Sequence, residues 1–597
     1  MIMILCAWSA LLLLLWNLNR GFDLTDESIL LYLYRHPDAF LERHPLHHFG
    51  FIRAFVPSSL DHFLTYRLIK LAGFISLTAA FALVLSKWIE RRFEFLSDYG
   101  PPPIPLVHFL TLGSFMAYCH GSQTLSYNDF ITFCLLGVSI VLLSIDLAPP
   151  QVSRLSWNFL VSMVAGAIFV LAFFAKWPSG ILLSAYFCLF VILCNADRRG
   201  QAILASIGGA LAGTIVFAIA VTDTGFGTIL SFSKLFAALA DQGFVQTHGG
   251  PAEVLRRYAE TTANRFGELI GNPASIAALV LPLVVMVIRA TVADNPRRRL
   301  LVGILGAATL ASLVVTAIEL PIWARNHEVW FNRFKIADMQ TFAVLFAMFA
   351  ACCCVPAAGK QVDRRRLVLF LSATAMIAAL PAVGSIGTNN PLLTQFIRHM
   401  GPLFAALALL TAFLGFAGQW RPFASVVCAA VALLSTAQLF STILFHPYRL
   451  ARPGTEQTIA IAAPDHMAGL RVDAETHAFI TALLDQTQRA VGRTAGMPML
   501  ALFDLAGVVY ILDAVSIGSP WHESGAGIEA TCDRLLADPR TRAKPRLVAL
   551  DRELPAPIVQ CLGRGGLDLR AYTEIANIPL APRRSGTGRL RLLIPPD

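Results

Sequence analysis

The spacing of apolar and polar residues divides this chain at about residue 445. Before that point, apolar runs of roughly 18 to 23 residues recur, each long enough to cross ~30 Å of hydrocarbon as a helix. They predict thirteen spans, at about 1–18, 63–86, 103–119, 128–145, 157–175, 179–194, 202–221, 273–288, 300–318, 339–358, 367–383, 401–418 and 423–444. Beyond residue 445 short apolar runs mix with charges and turns. Thr458–Ile461, Met499–Phe503, Val508–Leu512, Arg546–Leu550 and Leu590–Ile594 read as strands, and Ala474–Val491 and Gly527–Leu536 as helices. The fold expected is an α-helical polytopic membrane domain over 1–445 followed by a soluble α/β domain over 446–597.

Between the spans, nearly every short basic cluster (Lys87 with Arg91 and Arg92; Arg198-Arg199; Arg297-Arg298-Arg299; Lys360 with Arg364-Arg365-Arg366; Arg421) falls on the same side of the alternation. Positive clusters mark the cytoplasmic side, so the amino terminus is expected there. With an odd number of spans, the loops 19–62, 222–272, 319–338 and 384–400 and the C-terminal domain are then expected outside. Ile29–Tyr34, Phe49–Val56, Phe226–Gly243 and Val254–Ile270 have the periodicity of interfacial helices. Trp323, Trp330, Phe331 and Phe334 alternate with cations like an interfacial belt. The first span lacks a basic start and a small-residue cleavage site and reads as retained.

Composition sharpens the class. Of 597 residues, 56% are hydrophobic and only 14% charged, which excludes a soluble enzyme, a disordered chain and a secreted disulfide scaffold. The formal charge of +9 sits largely in the clusters between spans, so it reports membrane orientation and no nucleic-acid partner. Arg outnumbers Lys and Ala is abundant, as in GC-rich bacterial genomes; the bacterial cytoplasmic membrane is the expected location. Of eleven cysteines only Cys532 and Cys561 fall in the C-terminal domain, where a disulfide and two buried thiols are both open.

Candidate chemistry gathers at the outer edge. After span one the chain reads Arg20-Gly21-Phe22-Asp23-Leu24-Thr25-Asp26-Glu27. Carboxylates at that depth are costly unless hydrated or paired, and the plain alternative is a helix start capped by Thr25 or Asp26. Ser126-Tyr127-Asn128-Asp129 opens span four, and Asp129 reads equally as a helix-start acid. Lys176-Trp177-Pro178 turns between spans five and six, where Lys176 either snorkels or meets an anion. Gly384 to Pro391 holds Thr388, Asn389 and Asn390, which suit either sugar hydroxyls or a turn. His36, His44, His47, His48 and His62 crowd the first loop without a metal-ligand spacing.

An acidic pair opening a long first external loop, beneath ten or more spans and an external C-terminal domain, resembles the GT-C glycosyltransferases. It looks most like the branch of protein O-mannosyltransferases and lipid A aminoarabinose transferases. The resemblance covers the topology of about 1–445 and a few short motifs. It implies a polyprenyl-phosphate sugar donor, a cell-envelope glycan, lipid or protein acceptor, and a catalytic carboxylate at Asp26 with Glu27 beside it and Asp129 as a second acidic site. Lys176, then Arg398 and Arg20, are the expected phosphate cations; Tyr127, Asn128, Thr388, Asn389 and Asn390 are the expected substrate contacts. Some members use a divalent cation near the acidic motif, so metal dependence stays open. The chemistry suits these residue types: a lipid phosphate is a good leaving group, the acceptor hydroxyl needs a base, and the departing phosphate needs fixed positive charge. The competing readings are a transporter or flippase, which needs ionisable groups deep within spans and repeated halves, and a non-catalytic envelope assembly protein.

Overall fold

The computed structural model describes residues 1–37, 48–147, 153–194, 199–221, 251–270, 362–387, 392–418, 421–518, 545–580 and 588–596, with scattered positions in 276–308 and at 535–536. The apolar runs become helices: α1 (Ile2–Asn17), α2 (Asp26–Arg35), α3 (His48–Arg53), α4 (Phe63–Arg92), α5 (Pro103–Phe115), α6 (Tyr127–Ser144), α7 (Arg154–Ala175), α8 (Trp177–Cys194) and α9 (Arg199–Val221). After them come α10 (Pro251–Ile270), α11 (Arg364–Ser385), α12 (Leu392–Phe396), α13 (Met400–Ala417) and α14 (Phe423–Phe445). Among the described residues eight helices are long and apolar enough to span a bilayer, and α1 is a shorter apolar helix. The chain is a multi-pass helical membrane protein.

Expected spans one to seven and eleven to thirteen coincide with described helices, while spans eight to ten lie largely outside the described residues, as do 226–243 and the 323–334 belt. Span three is divided. Its α-helix stops at Phe115 and a buried 3₁₀ segment, Met116–His120, completes the crossing. At ~1.5 and ~2.0 Å per residue the two pieces together reach ~30 Å.

The bundle is built around α13. Of the apolar window Thr394–Ala417, 83% is buried, against 28% for the α14 window. Helices α7 and α9 approach backbone to backbone. A Cβ at Gly209 would stand 1.9 Å from the Met163 carbonyl oxygen, and one at Gly213 2.8 Å from Ala167 Cα, the small-residue spacing that replaces hydrophobic drive in lipid. At the other end of α4, Arg91 and Arg92 complement the helix dipole, and Asp146 accepts from Trp88 Nε1 and Arg92 Nε at 3.0 Å each.

After Phe445 come β1 (Ile459–Ala460), β2 (Arg471–Val472), α15 (Ala474–Val491), β3 (Pro498–Leu502), α16 (Ala506–Ile511), β4 (Val515–Ser516), β5 (Leu547–Leu550), α17 (Ala556–Arg564), β6 (Thr573–Pro579) and β7 (Arg589–Ile594). The main sheet has the order β4-β3-β5-β7-β6, parallel from β4 to β5 and antiparallel through β7 and β6. One expectation fails here: Val508–Leu512 is helical, in and just beyond α16. A short, wholly buried apolar run does not carry its own period, and this one is shaped by packing on α2. Gly507 N donates to Leu24 O at 3.0 Å, and a Cβ there would lie 2.7 Å from that oxygen. Cys561 is disulfide-bonded; Cys532, the other cysteine of this region, and most of 527–536 lie outside the described residues.

The C-terminal region is joined to the first loop along a continuous seam. Arg20 pairs with Arg471 beside β2, the Ser516 amide donates to Tyr32 Oη at 2.8 Å, and Arg35 bonds Asp513 and Asp61. Helix α2 is thus held between the bundle and the sheet, with Asp26 at its start.

Candidate active site at the membrane edge

Why α2 starts where it does is answered by a residue outside the expected motif. Asp23, 5% exposed, accepts from Thr25 N (2.9 Å), Thr25 Oγ1 (2.7 Å), Asp26 N (3.0 Å) and Glu27 N (3.2 Å). It supplies the helix cap expected of Thr25 or Asp26, satisfying two of the orphan amides of the first turn. Burial, and then the neighbouring Asp26 charge, push the Asp23 carboxyl up to about 6. That cap aims Asp26 and Glu27 in different directions.

Asp26 remains at the mouth of the site, with its side chain 33% exposed. Tyr448 Oη donates to its Oδ2 at 2.8 Å, and Arg449 Nη1 stands 2.8 Å from Oδ1. Both partners come from the link between α14 and the C-terminal region. Glu27 turns inward and is 2% exposed. It takes Arg67 Nε at 3.0 Å and Nη2 at 2.9 Å, and Thr124 N and Oγ1 at 3.1 and 2.8 Å. Arg67 also binds the carbonyls of Leu18 and Gly21 at 2.7 Å. A carboxylate so fully engaged is a strut that ties the first loop to α4 and to the loop before α6, rather than a group with capacity left to accept a proton.

Asp129 is likewise buried. Ser126 N and Oγ donate to its Oδ2 at 2.9 and 2.7 Å in a capping box, and Lys70 Nζ lies 3.0 Å from the same oxygen. Lys70 also donates to Ser122 O at 2.7 Å and sits 4.4 Å from the Tyr118 ring centroid. The helix-start and charged-site readings of Asp129 therefore coexist in one residue, whose Oδ1 has no hydrogen-bond partner among the described residues.

Two cations lack such partners. Lys176 is 4% exposed; its Nζ donates to Gly384 O at 2.7 Å and Asn128 Oδ1 at 3.3 Å. Arg398 is 6% exposed, and its Nε has no hydrogen-bond partner among the described residues. Among the described residues neither cation makes a carboxylate ion pair. They lie within electrostatic reach of one another, and Arg398 Nη1 would stand 3.5 Å from a Cβ at Gly121. Gly121 lines a hollow of about 20 Å³ with Asp23, Glu27, Tyr118, Gln123 and Tyr448, room for a single water at ~10–15 Å³ each. Tyr127, half-buried, feels the charges of Arg398, Asp26 and Asp129 together. Asp26, Asn128, Asp129, Lys176 and Arg398 thus belong to one neighbourhood at one end of the bundle.

Arg20 is elsewhere. Its Nη1 donates to Gln457 O at 2.7 Å and its guanidinium covers Trp16 at 4.2 Å, so it serves the seam. Thr388, Asn389 and Asn390 lie outside the described residues, as do His44 and His47. His36 faces Asp513 at 3.8 Å, His48 packs on Phe49 and Phe130, and His62 caps α4. Among the described residues no three His, Cys, Asp or Glu side chains are grouped to hold a metal ion. Arg67, Lys70, Tyr448 and Arg449 escaped the sequence reading, and Asp23 was noted there without a role of its own. Asp23 carried a signal, an Asp three residues before the helix; the others are brought in by tertiary contacts alone.

The fold and site are those of a multi-pass membrane protein with a carboxylate and two buried cations beside a C-terminal α/β domain. No family model matches the chain, and no curated protein matches it. Two solved structures are similar over 99% of this chain and 97% of theirs. They are ArnT from Cupriavidus metallidurans in the apo state, at 12% identity and TM-score 0.40, and the same protein bound to undecaprenyl phosphate, at 11% and 0.37.

Proposed function

We propose that this chain is an integral-membrane glycosyltransferase of GT-C type. It moves a sugar from a polyprenyl-phosphate donor to a cell-envelope acceptor on the external face of the bacterial cytoplasmic membrane. The observation that carries this reading is the pair Lys176 and Arg398, buried at the membrane edge without carboxylates among the described residues, beside the half-open Asp26. Buried charges require compensation, and a lipid phosphate supplies it in the geometry Arg favours.

In this reading the acceptor hydroxyl oxygen attacks the anomeric carbon as its proton passes to Asp26. The bond from that carbon to the phosphate oxygen breaks, and its electron pair leaves with the lipid phosphate against Lys176 and Arg398. Attack opposite the leaving group inverts the anomeric centre. Tyr448 and Arg449 hold Asp26 in register until the acceptor competes for it. Among the described residues the buried charged groups of the spans favour this reading over a transporter, because Arg67, Lys70, Asp129 and Arg398 gather at one end. Lys70 is only seven residues into α4, ~10 Å from its start, and Asp129 and Arg398 stand in the first turns of their spans.

The test uses right-side-out membrane vesicles of the source cells, lacking the native copy, with their own lipid-linked sugars and acceptors. Asp26→Asn is expected to insert normally and lose transfer by at least about 100-fold, the lower range for a general base. Full transfer by that variant removes the assignment.

A further inference from the structure

We propose that Gln395 reads the hydroxyls of the donor sugar, beside the cations that take its phosphate; this rests on the transferase reading above. Gln395 is 0% exposed, yet neither its Nε2 nor its Oε1 has a hydrogen-bond partner among the described residues. A primary amide with all of its hydrogen bonds unmade is among the costlier neutral groups to bury, and cores replace it by Leu or Met where nothing polar meets it. Its position gives the reason for keeping it. Helix α12 passes directly into a 3₁₀ turn, Ile397–His399, and residues three apart on such continuous helical backbone are neighbours on one face. Gln395 therefore stands one turn from Arg398, whose Nε also has no hydrogen-bond partner among the described residues. The next residue, His399, is anchored through Nδ1 to Thr132 Oγ1 at 2.7 Å, which fixes this segment against α6, the helix that carries Asn128 and Asp129.

The chemistry selects the sugar over the phosphate. A carboxamide offers two donors and one acceptor, and an ionised phosphate only accepts, so it would satisfy Nε2 and repel Oε1. A sugar hydroxyl donates and accepts, and meets both atoms. Lys176 and Arg398 are donors only and match the phosphate. The site thus divides into a cationic part for the leaving group and an amide for the group transferred, placing discrimination between sugars at Gln395.

The experiment compares Gln395→Leu, which keeps the volume and removes the amide, with the unaltered full chain in three measurements. The variant is expected to melt at or above the unaltered protein, because an unpaired polar group has been removed. It is expected to bind undecaprenyl phosphate within about twofold, and to transfer sugar in the source-cell vesicles about tenfold or more slowly, the effect of one lost hydroxyl contact. A lower melting point would assign Gln395 to a structural water or to packing and overturn the proposal. Loss of undecaprenyl phosphate binding would make it a phosphate ligand, and unchanged transfer would leave it no role; either overturns the proposal. Failure of the transferase reading is seen separately, as full transfer by Asp26→Asn or none by the unaltered chain.

Discussion

Replacing Glu27 separates support from chemistry within the acidic pair. The Arg67 side chain is 0% exposed and that of Glu27 3%, so removing one partner strands the other's charge out of water. Breaking such a pair costs about 3–5 kcal/mol. Glu27→Gln keeps the shape and an acceptor for Thr124, and Arg67 keeps its backbone carbonyls at Leu18 and Gly21, so about 3 kcal/mol, the lower end, is expected. Adding Arg67→Met removes the stranded cation, and the double variant is expected to recover most of the loss, since well-packed apolar replacements of buried pairs are often neutral. The assay is the thermal midpoint of the purified full chain in detergent for both single variants and the double, read as a double-mutant cycle, alongside sugar transfer in vesicles. Transfer by the folded Glu27→Gln protein is expected within about tenfold of the unaltered enzyme, below the ~100-fold of a lost acid or base. A variant as stable as the unaltered protein but inactive would refute this, and Glu27 would then be a reacting group.

The remaining expectations concern pH and the seam. The Asp23 carboxyl is raised from 3.8 to about 6, so the folded state binds its proton more tightly than the unfolded chain. Stability should therefore fall by up to about 3 kcal/mol as pH rises from about 4 to 6 and stay level above; pH-dependent melting of Asp23→Asn should lack that slope. His466, which meets the Tyr510 carbonyl at 2.9 Å, is lowered from 6.5 to about 4 by burial and then by Arg35. Its contribution has the opposite sense: about 3 kcal/mol is lost as pH falls from 6.5 to 4, and His466→Asn should flatten that acid limb. Arg35→Met should loosen the C-terminal region from α2 and cost about 1–3 kcal/mol, read as earlier proteolysis between residues 446 and 597 with the bundle intact.

Spans were legible because their signal is local: eighteen or more apolar residues leave the backbone no choice in lipid but a helix. Val254–Ile270 and Ala474–Val491 were legible through their period, and appear as α10 and α15. Val508–Leu512 was misread as a strand because its structure is set by α2, hundreds of residues earlier. The site divides in the same way. Asp26, Lys176 and Arg398 were singled out by residue type and place in the topology, and the structure puts them near one another. Arg67, Lys70 and Tyr448 were not, since each acts on a carboxylate far away in sequence. Arg20 turns to Gln457 and Trp16, because proximity in sequence to an acidic motif does not say which way a long side chain turns.

Binding of undecaprenyl phosphate to the purified full chain tests the central claim most directly, namely that Lys176 and Arg398 form a vacant-handed pair for a lipid phosphate. Lys176→Met, which fills the same space without charge, is expected to weaken that binding at least tenfold, about 1.4 kcal/mol, with the melting point unchanged or raised. Equal affinity in the folded variant would mean that these cations hold no phosphate, and the account would lose its basis.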